Sequence, residues 1–276
     1  MKNFPMGDKK MIVVDECLGL YEKPQFLGDE TLYFVNLIKA GQADRGLQKQ
    51  VERTKPRNIL PSIKLKRKTL SDEIDFFTQV VHLNSAKQSR GQTWIFYFYH
   101  SYYTDNQIIR KIQSLLLPEV FLLPIPVNAS RAKALYMMYV LDRYIRQSHQ
   151  NINFSELNFG INKSVQDLSC YLLSPKPLAQ FKPHKWRYVY KHKQNSLFKL
   201  VHMKADGQVN LVDVDELQNL WPKVLSFKSE QKELWAVVKD LDDGEKAISG
   251  TDFLYHIEQP AIPVNVPVID VAIYSK

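Results

Sequence analysis

Cysteine and glycine are scarce in this chain, with 2 and 10 copies among 276 residues. Cys17 and Cys170 stand far apart and neither has a Cys-x-x-Cys partner. That arithmetic excludes a disulfide framework and a cysteine-built zinc site, and points to two reduced, buried thiols in a cytoplasmic protein. No Gly-x-Ser-x-Gly turn occurs to present a nucleophilic serine. A phosphate loop is missing too. The nearest approach, Gly41 to Gln48, has Leu47 and Gln48 where a lysine and a hydroxyl must hold phosphate and magnesium. It also follows the Met11–Glu16 stretch, whose apolar run ending in Asp15-Glu16 resembles a Walker B strand, so the order is the reverse of an ATPase's.

Long apolar runs are lacking as well. The most apolar stretch, Leu115 to Val127, is too short to span a bilayer and is broken by Glu119 and by Pro118, Pro124 and Pro126. Residues 1–10 hold no apolar core of a signal peptide. These absences lead to the expectation of a soluble, intracellular protein without a membrane partner. What is present suffices for a sizeable core: 45% of residues are hydrophobic and 12% aromatic. The length suits one large domain or two ordinary ones.

Charge is unevenly spread. The net charge is +8, yet residues 131–204 hold 13 Lys and Arg against 3 Asp and Glu, and residues 205–276 hold 6 against 13. Such a basic block neutralises phosphates and releases their counterions. Aromatics laced through it strengthen a nucleic-acid reading. The acidic end could alternatively pack on the basic block.

Periodicity places the elements. Met11 to Val14 and the aromatic run Trp94 to Tyr103 read as strands. Thr31 to Ala40 fits helix or strand. Ser62 to Leu70 alternates apolar residues with Lys64, Lys66 and Lys68, as a half-buried strand with a cationic face does. Gln107 to Leu117 reads as a helix. Ser130 caps a longer one over Arg131–Gln147, with Ala134, Leu135, Met138, Leu141, Tyr144 and Ile145 at helical spacing. A short helix near Glu156–Phe159, a turn at Gly160, a helix over Ser164–Leu173 and a hairpin over Trp186–Met203 follow. Asp213 to Leu220 and Glu230 to Val238 read as helices, and Pro260 to Tyr274 as a strand.

Helix, turn, helix and basic hairpin are in the order of a winged helix-turn-helix. In that reading Asn162, Lys163, Ser164, Gln166 and Asp167 open a recognition helix. Lys182, Lys185, Arg187, Lys191, Lys193 and Lys199 meet phosphate. Two departures stand against it: Glu156 occupies a position usually small, and Gln166 one usually apolar. The expected fold class is α+β: a mixed part over 1–128 for dimerisation or partner contact, a winged-helix-like segment over 129–204, and an acidic α+β part over 205–276. The function expected with it is non-enzymatic binding of nucleic acid, duplex DNA in preference to RNA, without cofactor or metal, in a homodimer or larger nucleoprotein assembly.

Two alternatives use other residues. Cationic and aromatic strands on one sheet suit an RNA-binding subunit of a ribonucleoprotein, such as a CRISPR-type effector complex. A metal-dependent nuclease would draw on Asp240, Asp242, Asp243 and Glu245, or on Asp270 with Lys276.

Overall fold

The computed structural model describes residues 9–15, 18, 20, 23–36, 69–85, 92–100, 106–127, 130–147, 154–166, 168–174, 197–203, 209–227, 232–238, 248, 251, 255–258 and 269–275. Two sheets organise them. The first is parallel, with strand order β2-β1-β3-β4 built from β1 (Lys9–Asp15), β2 (Leu32–Asn36), β3 (Thr93–His100) and β4 (Val120–Val127). The crossovers from β2 to β3 and from β3 to β4 carry α1 (Leu70–Ser85) and α2 (Asn106–Leu115). The second sheet has the order β7-β6-β5-β10-β8-β9. It comprises β5 (Leu168–Ser174), β6 (Phe198–Met203), β7 (Val209–Asp215), β8 (Lys232–Val238), β9 (Tyr255–Glu258) and β10 (Ile269–Ser275). Its neighbours pair antiparallel except β8 with β9.

Strand periodicity sorts the core into three layers. Met11, Val13, Ile95, Tyr97, Tyr99 and Leu122 face outward, onto Phe76, Phe77 and Val80 of α1 and Ile109 and Ile112 of α2. The alternate residues of the same strands, Ile12, Val14, Trp94, Phe96, Phe98 and Leu123, face inward onto α3 (Arg131–Gln147). α3 also touches the second sheet through Leu168, Cys170, Leu172, Trp235 and Ala272. That sheet's far face, with Leu173, Leu200, Ala236 and Val271, is covered by Leu220, Trp221 and Val224 of α5 (Leu217–Ser226). The helix α4 (Phe154–Ser164) adds Leu157 and Ile161 to the inner layer.

This architecture corrects the expected fold class. Among the described residues it holds a parallel sheet and a mainly antiparallel sheet, and no winged helix. The helix expected over Ser164–Leu173 is strand β5, in the middle of the second sheet. Val165, Leu168 and Leu172 fit a helical stripe, but Leu168, Cys170 and Leu172 face one layer while Tyr171 and Leu173 face another. A strand buried on both faces reads as a continuous apolar run, which a short helix imitates. Glu230–Val238 fails as a helix for the same reason: in β8, Trp235 faces inward and Ala236 outward. The helix expected from Asp213 begins only at Leu217, because β7 runs through Asp215. Residues on both sides of position 204 pair in this one sheet, β6 with β7.

Candidate functional site: the layer between the sheets

An ordinary surface helix buries one stripe, but α3 is walled on two sides. Its buried residues are Arg131, Ala132, Ala134, Leu135, Tyr136, Met137, Met138, Leu141 and Asp142. The sequence begins this helix clearly. The Ser130 carbonyl accepts from the amide of Ala134 (3.1 Å), and its Oγ accepts from the amide of Lys133 (3.1 Å), an N-cap as anticipated. Met137, Met138 and Met203 give the layer unbranched side chains that adapt to irregular neighbours.

The polar end of the layer lies at the start of α3, just beyond the carboxyl end of β4. Asp270 of β10 is fully buried there. Its carboxylate accepts from Ser130 Oγ (2.8 Å) and from the amide of Arg131 (2.5 Å), with Arg131 Nε 3.8 Å away. A carboxylate at a helix N-terminus meets free N–H groups and the positive end of the dipole. Burial nevertheless raises the Asp270 carboxyl above its ordinary value, against the pull of Arg131 and the Ser130 hydroxyl. Burial also pushes the neighbouring Cys170 thiol up, to about 12. This cluster ties β10 of the second sheet to the helix that follows the first.

Further along α3 the layer is bordered by side chains that are only half-buried. Phe26, Tyr139, Val140, Ile145 and Leu211 pack on the core while remaining half-buried. Phe26 meets Tyr139 edge-on (centroids 5.7 Å) and Trp235 likewise (6.0 Å), and Trp235 is also packed by Tyr136 (5.6 Å).

A second buried polar cluster lies outside the layer, under α1. Tyr97 Oη stands 2.6 Å from Asp15 Oδ1 and 3.0 Å from Glu73 Oε1, and Asn36 Nδ2 donates to Glu73 Oε2 at 3.1 Å. All four side chains are buried. Burial, with the two carboxyl groups beside it, holds the Tyr97 hydroxyl well above its ordinary value. Asp15, read as the acid of a Walker-like strand, thus serves to dock α1 on the sheet.

Of the anticipated nucleic-acid residues, the described ones do not lie at the start of a helix. Asn162 and Lys163 are exposed in the last turn of α4, Ser164 ends that helix with its Oγ donating to the Ile161 carbonyl, and Gln166 is exposed in the following turn. They sit at the negative end of a helix dipole, the wrong pole for phosphate. Lys199 is buried in β6, and burial lowers its ammonium below the ordinary value. Arg131 is spent on Asp270, and Arg146 on Asp142 (2.7 Å). The acidic end of the chain therefore does meet the basic block, at Asp270. Lys64, Lys66, Lys68, Asp167, Lys182, Lys185, Arg187, Lys191 and Lys193 lie outside the described residues, as do Asp240, Asp242, Asp243 and Glu245. The aromatic strand offers no face for stacking bases, because Trp94 to Tyr99 are buried on both sides. Among the described residues, no three His, Cys, Asp or Glu side chains are grouped to hold a metal. Nor, among the described residues, is any helix long and apolar enough to cross a membrane.

Sequence reading missed Phe26, Tyr139 and Trp235 as a group. Asp270 had a signal of its own: one acid inside the apolar run Val268 to Ile273 is how a buried, partnered carboxylate reads.

No family model matches the chain. No curated protein matches it. Solved structures do. The Streptococcus pneumoniae Fatty Acid Kinase (Fak) B3 protein loaded with linoleic acid superposes with a TM-score of 0.60 at 8% identity, over 97% of this chain and 100% of that one. A DegV family protein from Eubacterium eligens loaded with heptadecanoic acid gives 0.59 at 11%, over 96% and 100%. A fatty-acid-binding DegV family protein from Thermus thermophilus gives 0.58 at 11%, over 97% and 100%.

The chain shares its fold with DegV family proteins. These likenesses overturn the nucleic-acid expectation. Two of these neighbours are loaded with fatty acids and the third is described as fatty-acid-binding, and the described parts of the segments invoked for DNA and for RNA belong here to a different architecture.

Proposed function

We propose that this protein binds a long-chain fatty acid, with the acyl chain in the layer between α3 and the two sheets. The reading is supported by the fold, shared over nearly the full length of both chains with proteins whose structures are loaded with fatty acids. The physical chemistry of the layer supports it. Transfer of each methylene from water into apolar surroundings is worth about 0.8 kcal/mol. A layer lined by Leu, Met and aromatic side chains supplies such surroundings, and two walls from different sheets can part without breaking either sheet's ladder. The polar group of the ligand belongs at an end of the layer, where buried donors or water can satisfy it. We place the protein in the cytoplasm, in keeping with the free, buried thiol of Cys170.

The test is a titration of lipid-stripped protein with cis-parinaric acid, followed by displacement with oleic acid. Saturable binding at one site per chain, with quenching of tryptophan emission, is the expected result. Linear, unsaturable partitioning that oleic acid does not displace would refute the proposal.

A further inference from the structure

The connection between β1 and β2 leaves its own sheet and reaches the other. Residues 23–31 form two reverse turns, closed by the Leu27 amide on the Pro24 carbonyl (3.1 Å) and the Thr31 amide on the Gly28 carbonyl (3.0 Å). Lys23 Nζ donates to the Gly28 carbonyl at 2.7 Å and braces the second turn against the first. Leu27 is buried in the inner layer and pins the segment. Phe26, central in the first turn, is only half-buried, and its ring lies against Tyr139 of α3 and Trp235 of β8. Its carbonyl accepts from Arg146 Nη2 (3.0 Å), and Arg146 is held in turn by Asp142 (2.7 Å). One ring and one exposed guanidinium thus close this edge of the layer across both sheets.

Building on the fatty-acid reading, we propose that the 23–31 strap is the gate of the acyl site and that Phe26 is its plug. Withdrawing Phe26 uncovers Tyr139 and Trp235 while Leu27 remains the pivot. Its cost includes the edge-on ring contacts with Tyr139 and Trp235 and the exposed hydrogen bond from Arg146, with no loss of sheet pairing. An apolar ring at the mouth also keeps water from the acyl chain when closed. The strap therefore sets the rate of exchange more than the affinity, because the plug hinders entry and exit alike.

The experiment is stopped-flow exchange of bound cis-parinaric acid against excess oleic acid, with equilibrium titrations alongside. Phe26→Ala should speed exchange roughly tenfold with little change in affinity, as the ring's contacts with Tyr139 and Trp235 are lost. Arg146→Ala, a surface change that leaves the core intact, should speed it about threefold. Phe26→Leu, which keeps an apolar plug, should fall between the unmodified protein and Phe26→Ala. Phe159→Ala, at an exposed ring on α4, should leave exchange unchanged. Unmodified exchange rates in Phe26→Ala and Arg146→Ala, with binding intact, overturn the gate alone. Absence of saturable binding in the unmodified protein overturns the fatty-acid reading and the gate with it.

Discussion

The two faces of the parallel sheet are covered by helices of different character. On the outer face, α2 buries Ile109 and Ile112, half-buries Ile108 and turns most of its remaining surface to water. On the inner face, α3 is walled by both sheets and buries nine of its residues, Arg131 and Asp142 among them. Each face holds a buried polar cluster. The outer one joins α1 to its own sheet through Asp15, Asn36, Glu73 and Tyr97. The inner one joins two sheets through Ser130, Arg131 and Asp270. The outer face is a packed core, whereas the inner layer lies between walls that, among the described residues, no shared ladder joins. On the proposed reading, the acyl chain belongs where two walls can separate, and that would distinguish the layers functionally.

Substitutions in the two layers should separate stability from binding. The largest effect is expected outside. Phe77 is almost wholly buried, with its ring 5.1 Å from both Phe76 and Tyr97. Phe77→Ala should cost about 4 kcal/mol in urea unfolding while the folded fraction still binds lipid as before. Weakened lipid affinity in that folded fraction would break the distinction.

Next comes Asp270→Asn, expected to cost about 3 kcal/mol because Arg131 is left buried without its counter-charge. The pH dependence follows from the raised Asp270 carboxyl. In the folded state it keeps its proton to higher pH than in the unfolded chain. Stability should therefore fall as pH rises from the ordinary carboxylate value to the raised one, and Asp270→Asn should flatten that slope. Asp142, also raised by burial, leaves a residual slope of the same sign. Thermal melts across that window measure both.

Tyr97→Phe should cost about 2 kcal/mol, since two buried carboxyl groups lose a shared hydroxyl. Lipid exchange should not change, because the cluster lies on the outer face. The smallest effect concerns Cys170, whose thiol is pushed up to about 12. In a Cys17→Ser background, iodoacetamide at mildly alkaline pH should leave the native protein unmodified and label it only after unfolding.

The parallel sheet was more legible than the second sheet, and the reasons are local. Arg131–Gln147 was readable because Ser130 caps it and apolar spacing persists over four turns. Trp94 to Tyr99 was readable because aromatic density rarely suits anything but a strand. β5 and β8 were not, because strands buried on both faces lose the alternation that marks a strand. The charge of residues 131–204 misled for another reason. Linear charge counts do not reveal that Arg131 and Lys199 are buried or that Arg146 and Asp142 pair within one helix. Of the candidate site, Ser130 was noticed as a cap and Asp270 only as a candidate metal-binding carboxylate of a nuclease. Their meeting across 140 positions was not, nor was the convergence of Phe26, Tyr139 and Trp235 from three separate elements.

The most direct test of the central claim is native mass spectrometry of the protein as recovered from cells, followed by extraction and lipid analysis. The account predicts a mass increment of one fatty acid per chain that disappears on extraction and reappears as a long-chain acid in the organic phase. A bare polypeptide mass before and after incubation with oleic acid would contradict it.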